Sequence, residues 1–280
     1  MIGQGTRTSL FRAALARPSG PPLGTWSKIP AQETVELLAL AGFDFVVIDL
    51  EHSAMSAESA SRQIGVALLA GLSPIVRVPS LAGGLVQRML DAGAEGIMLP
   101  HVDSVEEARA AAAAVRFPPA GTRGVGSTSR AGAWGAVPRE EYLRFGDEVV
   151  LIAQIESAAA ARAAGEIAAV DGVDALLVGA ADLSVSEGLD ESDPRVLRLI
   201  ADAVEAAHAV GVPVGNAGGA TTDAVRASID AGFDFTMLSN DASLLGGAAT
   251  AAVRAARSVS AERAAESAGP QEHHEGERDA

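Results

Sequence analysis

Short apolar runs recur along this chain, alternate with segments of helical period, and mostly end on polar or ionisable side chains. That rhythm restricts the fold more than any other feature. The clearest instance is DFVVIDLEHSAMS, residues 44–56, where Phe45-Val46-Val47-Ile48 leads into Asp49, Glu51 and His52. An apolar strand that delivers clustered charge at its end is how a barrel enzyme sets catalytic side chains on its carboxyl-terminal rim.

Taken in order, residues 8–17 read as a helix that PSGPP breaks, and LGTW (23–26) reads as the first strand. Helix 31–41 ends at Gly42, the Phe45 run is the second strand, and helix 57–70 ends at Gly71. SPIVRVP (73–79), helix 82–92 and GIMLP (96–100) follow, and Ser104 with Glu107 forms a capping box for helix 104–116. A glycine-rich connection spans 117–137. Then come strand 149–156, helix 157–169, strand 175–183, and helix 194–210 opened by Asp193-Pro194. Strand 212–217, helix 221–231, strand 233–240 and helix 241–257 complete the series. Eight nearly all-apolar strands alternating with helices predict an α/β fold of the (β/α)8 barrel type, buried on both strand faces. A doubly wound open sheet is the rival; the barrel is preferred because the count reaches eight without a second domain.

With 280 residues and 48% hydrophobic content, the chain is long enough for one large α/β domain. Past Ser258 large apolar residues almost vanish. Residues 1–258 are therefore expected to form one domain and 259–280 a disordered acidic tail, whose His273-His274 pair reads as solvated. A net charge of −15 disfavours nucleic acid and anionic membrane surfaces as partners. The absence of cysteine excludes disulfides and thiolate metal sites. No apolar run approaches the roughly 20 residues of a membrane span. Arg7, Arg12 and Arg17 surround a short apolar stretch as in a targeting peptide, but Arg12 interrupts it. A structural first helix and a cytoplasmic protein are the expectation.

At the strand ends stand Asp49, Glu51, His52, Arg77, His101, Gln154, Glu156, Asp182, Asn216, Ser239 and Asn240. Any one of them alone reads better as a helix cap or loop residue. Charge at the ends of strands two, three, five and six together points to one site, because barrel closure turns these ends toward one mouth. Glu156 and Asp182, on neighbouring strands, repel unless a cation lies between them. Two oxygen ligands, completed by water or substrate, describe a hard divalent ion such as Mg2+ or Mn2+. His52 and His101 lack the ligand spacing of a zinc site. Arg77 near such an ion implies an anionic substrate group, a carboxylate or a forming enolate. His52 can exchange a proton near neutral pH, with an aspartate to fix its tautomer. Metal, arginine and histidine on one rim read as bond making or breaking beside a carbonyl.

The motifs AGFDFVVIDLEH, IVRVPS, LDAGAEGIMLPHVDSVEEA, RFPPAGTRGVG, QIES and GAADLS, spread over residues 23–257, together resemble the HpcH/HpaI aldolases, the metal-dependent pyruvate aldolases. The resemblance implies a barrel of the phosphoenolpyruvate/pyruvate type and reversible cleavage of a 4-hydroxy-2-oxo acid to pyruvate and an aldehyde. It implies a divalent metal (Mg2+, Mn2+ or Co2+) on Glu156 and Asp182, chelated by the keto and carboxylate oxygens of pyruvate. Gln154 and the backbone amides of Ala181 and Asp182 would contact substrate, His52 would be the base acting with metal-bound water, and Arg77 would stabilise the enolate. The aspartate behind His52 is open between Asp49, three positions upstream, and Asp91 in RMLDAG. Gly179-Ala180-Ala181-Asp182 lacks the proline the family often has there, which loosens the loop carrying the second ligand. His101 and the loop from Ser127 to Trp134 lie where the aldehyde portion would be read. The family also implies a homo-oligomer, a hexamer or trimer of dimers, with the final helix on a neighbouring subunit. The runner-up is a Claisen-type lyase acting on CoA esters, like citrate lyase β or malyl-CoA lyase; RGVG and QIES favour the small-substrate aldolases. The rival from another class is a barrel that only binds a keto acid, against which the base His52 and Arg77 speak.

Overall fold

In the computed structural model, which describes residues 8–268, eight parallel strands close into a barrel in chain order. They are β1 (Leu23–Ser27), β2 (Phe45–Asp49), β3 (Ser73–Arg77), β4 (Gly96–Leu99), β5 (Val150–Ile155), β6 (Ala175–Val178), β7 (Val214–Gly218) and β8 (Phe235–Asn240), with β8 pairing back onto β1. The helices are α1 (Leu10–Leu15), α2 (Gln32–Ala41), α3 (Ala57–Ala70), α4 (Leu85–Asp91), α5 (Val105–Val115), α6 (Arg139–Phe145), α7 (Ala158–Arg162), α8 (Ala164–Ala168), α9 (Ala180–Ser186), α10 (Pro194–Ala209), α11 (Thr222–Asp230) and α12 (Asp241–Ala268). The predicted barrel is therefore present, strand for strand.

Alternation along each strand sorts its side chains between two cores. Val46 and Ile48 of β2 and Val76 of β3 face outward into the layer shared with the helices. Phe45, Val47, Ile75, Met98, Val150, Ile152, Ala175, Leu177, Phe235 and Met237 fill the barrel interior. Phe11 of α1 joins this interior cluster, with edge contacts to Phe45 at 5.1 Å and Phe235 at 5.3 Å between ring centroids. The first helix is thus structural, as expected. Counting by twos past these residues reaches Asp49 on β2, Arg77 on β3, Gln154 on β5 and Glu156 just past its end. The inward-facing series that makes the core is the same series that ends in the polar mouth.

The caps behave as the sequence suggested. Ser104 Oγ accepts the N–H of Glu107, while Glu107 reaches back to the N–H of Asp103. Asp193 accepts the N–H of Arg195 at the start of α10. Several boundaries differ from expectation. Strand β6 stops at Val178, because Ala180 already starts α9 and the segment lacking proline is helical rather than extended. The helix expected over 157–169 is divided at Ala163. The long connection carries a 3-10 turn at Arg130–Gly135 and is followed by α6, which its glycine content did not suggest.

The chain divides into two units, the first closing at Asp241 and the second beginning at Ala242. Helix α12 extends through Ala268, ten residues past the expected boundary at Ser258. Low apolar content does not forbid helix where alanine, glutamate and arginine, all strong helix formers, dominate AERAAESA. Leu245, Val253 and Val259 on this helix are exposed. The His273-His274 pair lies outside the described residues. Among the described residues no helix is long and apolar enough to cross a membrane.

Two glycines let the interior aromatics fit. A Cβ on Gly24 would lie 2.2 Å from the Phe45 ring, and one on Gly215 would lie 2.1 Å from the Phe235 ring. Both rings are fully buried and brace each other and Phe11, so neither can yield. We expect Gly24→Ala to destabilise the fold by about 1–3 kcal/mol, the usual cost of overpacking. Adding Phe45→Leu should recover part of that loss in urea unfolding. A Gly24→Ala protein as stable as the parent would refute this account of the interior.

Candidate active site

The mouth is built around a carboxylate with no solvent exposure. Asp49 ends β2 in register with Arg77 of β3, so the two side chains stand side by side. Arg77 Nε donates to Asp49 Oδ1 at 3.0 Å and Nη2 donates to Oδ2 at 2.7 Å, a bidentate pair. The backbone N–H groups of Glu51 and His52 also donate to Oδ1, and Lys28 Nζ lies 3.1 Å from Oδ2. Burial pushes the Asp49 carboxyl up, but the Arg77 hydrogen bonds and charge, the His52 amide and Lys28 outweigh it and bring the pKa down to about 2. The Arg77 guanidinium also stacks over Trp26, 4.1 Å from the ring centroid, and its Nη1 lies 3.2 Å from Glu51 Oε2. It is held on three sides.

From Glu51 the network continues across the mouth. Glu51 Oε2 lies 3.7 Å from His52 Nε2, and Oε1 lies 3.5 Å from His101 Nε2. His101 Nδ1 stands 3.0 Å from Glu156 Oε2, and the His101 backbone N–H donates to the same oxygen. That contact requires a positive φ of 54° at His101, a conformation uncommon outside glycine. Gln154 Nε2 donates to Glu156 Oε1, leaving the buried Gln154 Oε1 without a partner. Gly179 lets the backbone pass close by, since a Cβ there would lie 2.9 Å from Glu156 Cγ. Burial raises the Glu156 carboxyl above its ordinary value; the His101 amide and charge pull it back, and repulsion from Asp182 and Glu51 adds to the rise.

A cation suits these donors. Glu156 is a buried carboxylate that feels a second carboxylate from α9 and sits beside the unpartnered Gln154 Oε1, so oxygen donors are available to a hard ion even though His101 and Gln154 also donate to it. Among the described residues no group of three or more histidine, cysteine, aspartate or glutamate side chains is arranged to hold a metal ion.

Sequence and structure place seven residues alike. Asp49, Arg77, Gln154 and Glu156 are buried at the mouth, and His52, Ala181 and Asp182 lie on its exposed edge. Within this chain neither candidate aspartate touches the His52 ring. Asp49 binds the His52 backbone rather than its ring, and Asp91, at the end of α4, is tied to Arg123 at 3.1 Å and Tyr142 at 3.4 Å rather than to His52 of the same chain. The carboxylate facing the ring is that of Glu51.

The model of the HpcH/HpaI aldolase/citrate lyase family matches residues 23–245. The chain belongs to this family. It is 37% identical over 226 residues to the 2-dehydro-3,6-dideoxy-6-sulfogluconate aldolase of Pseudomonas putida, covering 80% of this chain and 88% of that one. It is 35% identical over 243 residues to the hydroxypyruvate/pyruvate aldolase of Sagittula stellata, covering 86% and 95%. An HpcH/HpaI aldolase/citrate lyase family protein from Burkholderia cenocepacia superposes with a TM-score of 0.83 at 36% identity, over 89% of this chain and 100% of that one.

The structure adds Lys28 and Trp26 to the network, and it gives partners to Glu51 and His101, which the motifs already contained. A signal for Lys28 was present: it is the single lysine among 21 lysine and arginine residues.

Asp49 also sets an acid limit. A carboxyl whose pKa falls on folding stabilises the native state above its unfolded value, near 3.8, and that contribution is lost as pH falls toward about 2. The pH-dependent part is about 2 kcal/mol. We expect the stability gap between the parent and Asp49→Asn to be constant from pH 7 to about 4 and to narrow below that in urea unfolding. A gap that stays constant down to pH 2.5 would refute it.

Proposed function

We propose that this protein is a metal-dependent aldolase that cleaves a 4-hydroxy-2-oxo acid reversibly to pyruvate and an aldehyde. The observation that carries the reading is the Arg77 guanidinium, buried and locked on Asp49, sharing one mouth with Glu156 and its neighbour Asp182. Names carried by relatives such as those of Pseudomonas putida and Sagittula stellata agree with this reaction class. Glu156 and Asp182 would hold the divalent ion, with Mg2+, Mn2+ and Co2+ all compatible with an oxygen donor pair. When bound, the ion would polarise the 2-oxo carbonyl.

The chain's own groups then have the following work. Gln154 and the backbone amides of Ala181 and Asp182 orient the keto acid. His52, on the exposed edge, takes the proton from the C4 hydroxyl. The C3–C4 bond breaks, its electron pair passes into the enolate of pyruvate, and the aldehyde departs. Arg77 faces the oxygen on which negative charge grows, and because Asp49, Glu51 and Trp26 already fix it, little reorganisation is needed at that moment. Reprotonation at C3 releases pyruvate. By likeness to its family we also propose a homo-oligomer in which the exposed apolar residues of α12, Leu245, Val253 and Val259, meet another copy.

Chelation by EDTA should abolish cleavage. Glu156→Ala or Asp182→Ala should do the same while circular dichroism stays unchanged. Full activity in metal-free protein would end the metal-dependent reading.

His52→Ala should slow aldol cleavage by a hundredfold or more, on the scale of lost general-base catalysis. Decarboxylation of oxaloacetate also passes through the pyruvate enolate but removes no hydroxyl proton, so it should be affected far less. Equal loss of both reactions would make His52 a residue that builds the site rather than its base.

A further inference from the structure

Both oxygens of the Glu156 carboxylate have nitrogen partners. Oε1 accepts from the Gln154 side-chain amide. Oε2 accepts the backbone N–H of His101 at 3.1 Å and also meets the His101 ring, whose Nδ1 lies 3.0 Å away. These donors are not equally fixed. Gln154 is buried two positions back along the chain, on β5. The His101 amide belongs to a braced loop. Val102, fully buried, donates its N–H to the Gln154 carbonyl, and Asp103 accepts from Ser157 Oγ at 2.6 Å while its own N–H donates to Glu107. Pinned between this brace and β4, His101 holds its positive φ of 54°. Its side chain is 64% exposed, and Nε2 makes only a loose approach to Glu51 Oε1 at 3.5 Å. Of the three donors, the ring is the one that can move.

Exposure orients the pair. The Glu156 side chain is 4% exposed against 64% for His101, so the ring stands between Oε2 and the solvent. Oε1 is turned inward: it meets Gln154, and a Cβ on Gly179 would lie 3.3 Å from it. Oε2 is therefore the oxygen that faces the mouth. A carboxylate has about four acceptor sites on its two oxygens. On Oε2 the amide takes one site and the ring the other, with the ring proton on Nδ1. A buried carboxylate without an answering donor is costly, and the ring answers it in the ion-free protein. An ion arriving from the mouth needs the place that the ring holds.

Resting on the reading above, in which Glu156 and Asp182 hold the ion, we propose that the His101 side chain is a latch on the ion site: its ring occupies Glu156 Oε2 in the ion-free protein and turns out to solvent when a divalent ion binds. The ring is then a competitor of the ion and not one of its ligands, which agrees with the absence, among the described residues, of a three-ligand group. A hydrogen bond of this kind favours the closed ring by about three- to tenfold. Affinity for the ion falls by the fraction of molecules whose ring is open, so His101 sets how tightly the ion is held.

The test uses the full chain, stripped of metal, at one fixed pH and without substrate. Mn2+ is titrated in, and the free ion is counted by electron paramagnetic resonance. His101→Gly removes the ring and suits the positive φ, and it should bind Mn2+ about three- to tenfold more tightly than the parent. His101→Asn also accepts the left-handed region and should tighten binding in the same direction. In the parent labelled with 15N-histidine, the His101 ring signal is identified by its loss in His101→Gly. Its Nδ1 proton, protected while bonded to Glu156, should exchange rapidly with water once Mg2+ saturates the site. Equal Mn2+ affinity in His101→Gly, or a ring proton that stays protected in Mg2+, would overturn the latch and leave the metal-dependent reading intact. Weaker Mn2+ binding in His101→Gly would overturn it by making the ring a support of the ion. A parent that binds no Mn2+, or whose Mn2+ binding survives Glu156→Ala, would overturn the metal-dependent reading and the latch with it.

Discussion

The pair formed by Asp49 and Arg77 governs the mouth of this barrel. Both side chains are removed from water, and the desolvation of two charges is repaid only when every donor and acceptor is matched. Here the matching is dense: two guanidinium bonds, two backbone amides and an ammonium converge on one carboxylate. Each of these bonds also positions something else. The amides of Glu51 and His52 draw the turn after β2 inward, which sets where the His52 ring begins. The guanidinium, gripped along one edge, keeps Nη1 toward Glu51 and its face on Trp26. Removing either member would strip the other of its bidentate partner, leaving Asp49 to Lys28 and two backbone amides, or Arg77 to Glu51 and Trp26.

This is why much of the site was legible from sequence alone. A strand's period of two is rigid, so Phe45, Val47 and Asp49 must share a face, as must Ile75 with Arg77 and Val150, Ile152 and Gln154. Barrel closure then brings the ends of those faces together. What the strand period does not govern was not legible. The direction of the His52 and His101 rings depends on loop backbone, including a positive φ at His101 that its sequence context does not announce. Asp91 ends a helix in a motif that suggested support for His52, but its nearer choices are Arg123 and Tyr142, and Tyr142 comes from a helix hidden behind a glycine-rich stretch. The extent of α12 was missed because apolar content was used as the sign of order, whereas alanine favours helix without needing a core.

The charges of the mouth also explain how an acidic protein can receive acidic substrates. The chain carries a net charge of −15, and in dilute salt that field would repel a keto acid. At physiological ionic strength, exposed charges beyond about 8 Å are largely screened, so the local sum decides. Histidines aside, that sum is four carboxylates, Asp49, Glu51, Glu156 and Asp182, against the two cations Lys28 and Arg77. The excess falls on the β5–β6 side, where burial first and then the carboxylates of Asp182 and Glu51 push Glu156 up, while the β1–β3 side is where both cations lie. A divalent ion on the carboxylate pair would bring the mouth to neutrality and put positive charge opposite Arg77. The same polarity that makes Glu156 uncomfortable without a cation therefore turns the mouth into a receptor for an anion laid across it.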